Sequence, residues 1–200
     1  MTIGDSTDVG SDYRWPRDGD RLFVEASWSH DAQVVKDPKE RFYRMPAGYS
    51  RAADLLVEQA AVNIVDRNNI IYAALFCYRQ SVELHLKRIL LEFGSDNRQA
   101  IITHNLAILW EQFIELAKAH DRDSTLGIGA AEAVIAELDK ADKGSDSFRF
   151  PTTIRGLPVG FGDQGIDLDN LRDTMTGLLN FFECAYMDFA HHNEAPSYPI

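Results

Sequence analysis

The chain has 200 residues, 45% of them hydrophobic, which suits one domain with a real core and a decorated terminus. No run approaches the roughly 20 apolar residues of a membrane span. A net charge of −11 and a pI near 4.9, with no run of basic residues, disfavour tight binding to phosphate backbones and leave room only for a small RNA cleft.

The N-terminal stretch MTIGDSTDVGSDYRWPRDGD is acidic and polar, with neither an apolar signal core nor an Arg-rich transit pattern. Its Gly, Ser and Asp content reads as disorder. Arg21–Trp28 alternates Leu22, Val24 and Ala26 against Phe23, Glu25 and Ser27, the pattern of a short strand. Pro46-Ala-Gly-Tyr-Ser50 then breaks the chain, and Ser50 is placed to cap a helix carrying Leu55, Leu56, Ala60, Val62 and Ile64. These signals divide the chain into an N-terminal extension, 1–45, a helical bundle, 46–190, and a tail, 191–200.

Ile70–Phe93 holds neither Pro nor Gly and reads as one long helix. Ile71, Leu75, Tyr78, Val82, Leu86, Ile89 and Phe93 form its core stripe, and Ala73, Cys77, Leu84 and Leu91 a second apolar line nearly opposite. A helix apolar on two faces is covered on both, as the centre of a bundle or at a dimer interface. Arg79, Glu83 and Lys87 run down the seam at i, i+4 spacing with alternating charge.

Gly94-Ser-Asp-Asn97 stops that helix, and Thr103 is the expected cap of the next, with Leu106, Leu109, Trp110, Phe113, Leu116 and Ala117 inward. A shorter helix follows Gly127-Ile-Gly129. Ser147–Gly165, rich in Gly, Pro and aromatics, is too long for an idle linker and is expected to be functional or pinned to the core. The last helix starts at Asp167 or Asp169 and points Leu171, Met175, Leu178, Phe182, Ala185, Tyr186 and Phe189 inward. Cys77 and Cys184 lie in apolar helical patterns and read as buried thiols in a reducing cytoplasm.

Tyr78-Arg79-Gln80-Ser81-Val82-Glu83-Leu84-His85-Leu86-Lys87 resembles the second-helix pattern of HEPN domains, an aromatic/Gln segment before an A/V-E-x-x-x-K core. Thr103-His104-Asn105-Leu106 is similar to that family's H-x-L helix start. Ser147-Phe148-Arg149-Phe150-Pro151 resembles the F-R-Y-P-type segment of a bacterial subset. The likeness covers roughly residues 48–190. It implies an all-α, up-and-down bundle of four to five helices that homodimerises, here with a short extended or β N-terminal decoration. It also implies a place in toxin–antitoxin or anti-phage systems, where many members are metal-independent ribonucleases.

Enzymatic members carry R-x4-6-H at the start of the last helix, with Arg on the scissile phosphate and His as acid or base. Here the positions after Arg149 hold Ile154, Arg155 and Gly156, and those after Arg172 hold Gly177, Leu178 and Leu179. The spacing recurs at Arg79–His85 and Arg98–His104, but so short a motif is weak. Arg79 and His85 are six positions, about 240°, apart around a helix and do not converge. Arg98–His104, spanning a loop and a helix start, is freer, and with Arg149 it forms the candidate catalytic set.

Each candidate also has a structural reading. Arg79, Glu83 and Lys87 read first as a ladder holding the bundle in register. His104 reads first as a helix-start histidine bonded to backbone or a carboxylate. Arg149 either binds a phosphate or partner, or pins its loop by pairing with Glu83. Asp188, His191, His192 and Glu194 sit too near the end to preorganise a metal, so no metal and no cofactor is expected. The expected protein is a cytoplasmic homodimer and an interaction or regulatory member, with a protein partner. The alternative is a ribonuclease built on Arg98, His104 and Arg149.

Overall fold

The computed structural model describes residues 15–24, 32–95, 102–122, 127–153 and 155–194. The chain divides into two units, Met1–Val35 and Lys36–Ile200. In the first, a turn at 17–20 is closed by Asp20, whose carboxylate accepts from the Arg17 N–H at 2.9 Å. Of the expected strand, Arg21–Val24 is irregular and Glu25–Trp28 lie outside the described residues.

The second unit is an all-α bundle. Among the described residues it comprises α1 (Pro38–Val62), α2 (Arg67–Phe93), α3 (Leu106–Ala119), α4 (Ile128–Ala141) and α5 (Leu168–Glu194). Its start corrects the expected boundary at 46 and the expected cap at Ser50. Asp37 is the N-cap of α1: its side chain accepts from the Glu40 N–H at 2.9 Å, Pro38 fills a first-turn position, and Glu40 holds Arg44 at 2.6 Å. The helix continues without a break through Pro46. A proline there lacks the N–H for its i−4 carbonyl, but Pro46 is buried and its own carbonyl accepts from the Ser81 hydroxyl at 2.9 Å. Packing onto α2 holds the turn that local propensity would have broken.

α1 and α2 form an antiparallel hairpin, the most extensive helix pair in the bundle. Its register is visible in Lys39–Glu92, Pro46–Ser81 and Asp54–Tyr78. The buried face of α1 is Ala53, Val57 and Ala60, not Leu55, Val62 and Ile64, which are exposed. Small side chains let α1 sit close to α2.

α2 is the bundle's centre. Every residue from Tyr78 to Leu90 except Gln80 and Arg88 is buried, whatever its polarity. The expected core stripe is confirmed, with Ile71 and Phe93 half-buried at its ends. Of the opposite line only Leu84 is fully buried and Ala73 is exposed. α5 lies beside α2 in matching register, His85 on Phe182 and Phe93 on Tyr186 and Phe189. α3 packs against α5 through Trp110, Phe113 and Phe181.

Three local expectations change. Asn105, not Thr103, caps α3, its side chain accepting from the Ile108 N–H at 3.0 Å, while Thr103 Oγ1 accepts from the Asn105 N–H. Asp167 caps α5, accepting from the Asp169 and Asn170 N–H groups, and the helix continues through His191 and His192, where a tail was expected. Cys77 is half-buried and Cys184 exposed, because Cys184 lies off the Phe182–Ala185–Phe189 stripe. Among the described residues, no helix is long and apolar enough to cross a membrane.

Candidate functional site

A row of Arg79, Glu83 and Lys87 at one-turn spacing on the central helix puts three charges where water cannot reach them. Such charges must satisfy one another. Glu83 is the hub. Its Oε2 accepts from Arg79 at 2.8 Å and its Oε1 from Lys87 at 2.8 Å. The Nδ1 of His104, arriving from the start of α3, lies 2.9 Å from the same Oε1. Burial alone would raise the Glu83 carboxyl, but hydrogen bonds from Lys87 and Arg79, with His104 behind them, hold it below the usual carboxylate range.

The remaining donors of Arg79 turn away from Glu83. Nε donates to the Asp142 carbonyl at 3.1 Å and stands 3.3 Å from the Asp142 carboxylate. A terminal nitrogen donates to the His104 carbonyl. Asp142, fully buried just past α4, also accepts from the Asp146 and Ser147 N–H groups at 2.7 and 2.9 Å, and so organises the turn into the long loop. One guanidinium thus ties α2 to the entrance of α3 and the exit of α4. The ladder is a closed knot of ion pairs and hydrogen bonds.

Asp142 escaped the sequence reading because its partner lies 63 positions away. No local pattern marks such a pair.

The other candidates separate. The side chain of His104 is 63% exposed on one side while bonded to buried Glu83 on the other. Arg98 lies outside the described residues. Arg149 does not pair with Glu83. It donates to the Ser145 carbonyl and lies over the rings of Phe76 and Phe150, 5.8 and 5.2 Å from their centroids, and so packs within its own turn and on α2. Arg79 and His85 point apart: His85 stacks on Phe182 with Glu183 3.5 Å from its Nδ1. His192 Nδ1 lies 2.8 Å from the Asp188 carbonyl, and the Asp188 carboxylate stands 3.4 Å from Arg122. Among the described residues, no group of three or more His, Cys, Asp or Glu is placed to hold a metal.

No family model, curated protein or solved structure matches the chain.

The long loop does what its composition suggested. Phe148 is buried and meets Phe161 edge-to-face at 5.3 Å, so the two limbs of the loop are clamped together. Between them, Thr152 and Pro158 form an antiparallel bridge and Gly156, at φ +73°, makes the reversal. The returning limb, 161–167, passes over α2, α4 and the start of α5 and encloses a cleft of about 320 Å³.

Proposed function

We propose that this chain is an HEPN-like helical-bundle protein that works through protein contacts, as a homodimer within a toxin–antitoxin or anti-phage system, and not by cleaving RNA. The observation that carries this reading is the exposed apolar tip of the α1–α2 turn; of the two Arg–His spacing matches, Arg79 is also withdrawn from chemistry. Fully buried and donating to Glu83, Asp142 and the His104 carbonyl, it cannot be lent to a phosphate. The acidic surface points the same way. A contact surface is available at the α1–α2 turn, where Val62, Ile64 and Val65 are 78%, 75% and 85% exposed. That tip is held rigid: Asn63 Oδ1 accepts from the Val65 and Asp66 N–H groups, and its amide donates to Asp66 at 2.8 Å.

A second reading rests on His104. A carboxylate fixed on one ring nitrogen with the rest of the imidazole in solvent is the arrangement of a general base. With Arg98 and Arg149 it would make a metal-independent ribonuclease.

Incubating the purified chain with RNA in EDTA, beside His104→Ala, separates the two. Intact RNA, together with a dimer mass by light scattering that falls to monomer in Ile64→Asp/Val65→Asp, supports the interaction reading. Cleavage that His104→Ala abolishes overturns it.

A further inference from the structure

The cleft under the 161–167 limb has a two-part lining. Leu138, Phe148, Phe161 and Met175 make its apolar walls, while Glu137 from α4 and Asp167, Asn170 and Thr174 from α5 stand as its polar groups. Asp167, Asn170 and Thr174 are one turn apart and share a face of α5. None of the lining residues is Lys, Arg or His. The positive end of α5 offers an anion nothing, because Asp167 already fills it, accepting from the Asp169 and Asn170 N–H groups at 3.0 Å each. Two carboxylates therefore stand in the lining of a space that Phe148 and Phe161, in edge-to-face contact, also line.

We infer that this cleft binds a small organic cation, an ammonium group on an apolar body. The ammonium meets Glu137 and Asp167, the oxygens of Asn170 and Thr174 accept its remaining hydrogen bonds, and the body lies against Phe161, which the buried Phe148 supports from behind. Carboxylate and aromatic face are the two partners an ammonium finds most favourable. A volume of about 320 Å³ sits at the small end of ligand pockets, so the occupant is a single small molecule and not a polymer segment. The site is separate from the Glu83 network and does not depend on the interaction reading above.

The test is calorimetric titration of the full chain with phenethylammonium, and in parallel with neutral 2-phenylethanol, anionic 3-phenylpropionate and calcium chloride. Phenethylammonium is expected to bind at least about tenfold more tightly than the alcohol, the effect of one charge-assisted contact, and the anion is expected not to bind. Glu137→Gln and Asp167→Asn should each weaken the ammonium about five- to tenfold. Both keep the fold, since Glu137 is exposed and an asparagine still caps α5. Phe161→Ala should weaken both ammonium and alcohol, and Glu115→Gln, an exposed carboxylate on α3, should change neither. Equal affinity for the three organic probes, tighter binding of calcium or of the anion, ammonium affinity unmoved by Glu137→Gln and Asp167→Asn, or no heat with any probe would each overturn the assignment.

Discussion

His85 lies flat on Phe182, the two rings 8° from parallel with centroids 5.7 Å apart, at the centre of the contact between α2 and α5. Burial, and Arg88 behind it, push its pKa down from 6.5 to about 4. Glu183 is 3.5 Å from the ring and would favour the charged form, but it is already shared with Arg88 at 3.2 Å. The ring is therefore neutral in the native protein at neutral pH.

A histidine that protonates more readily unfolded than folded makes stability fall as pH falls. The loss begins near pH 6.5, where the unfolded chain takes up its proton, and levels off near pH 4, where the folded protein follows. The depression corresponds to about 3 kcal/mol as an order of magnitude. Urea unfolding at pH 7.0, 6.0, 5.0 and 4.5 should show that decline in the wild type. In His85→Phe, which keeps the stacking and cannot titrate, the decline across this window should be much shallower. Parallel curves for the two proteins would show that His85 carries no linkage.

Glu83 governs a second, more acidic window. Its carboxyl is held below the usual range, so its contribution is complete above pH 4.5 and is lost as pH falls through the lowered value. Glu83→Ala should destabilise the protein by about 3–5 kcal/mol at pH 7, because it strands the buried Arg79 and Lys87 side chains. Lys87→Met, which removes one partner and keeps an apolar stem, should cost less. Denaturant midpoints rank the two; an equal or reversed order would mean that Glu83 is not the hub.

The thiols should differ in native reactivity. Cys184 is exposed on α5, whereas Cys77 is half-buried on α2 and burial pushes its pKa up. Ellman's reagent at pH 8 should modify one thiol per chain rapidly and the second only after denaturant is added. Cys184→Ser should remove the fast phase and Cys77→Ser the slow one.

Much of the bundle could be read without coordinates, and α2 shows why. Its stripe from Leu75 to Ile89 repeats with the helical period, and a periodic apolar face long enough to fix its own direction needs no distant information. The aromatic stripes of α3 and α5 were legible for the same reason. Pro46 shows the limit: Asp37-Pro38-Lys39-Glu40 is a helix-start pattern, but the nearer Pro-Ala-Gly breaker outweighs it until α2 is present to hold the turn.

The sequence by itself determined an all-α bundle centred on α2, with a charged row on that helix and a loop too aromatic to be a spacer. Periodicity and one-turn charge spacing are local properties of the chain. Tertiary structure alone decided what the charges do. It brought Asp142 and the His104 carbonyl to Arg79, laid Arg149 on Phe76, and put Glu137 and Asp167 in the lining of one cleft. Each of these joins residues on different elements, and the partners of a buried charge are chosen by whichever groups packing delivers to it.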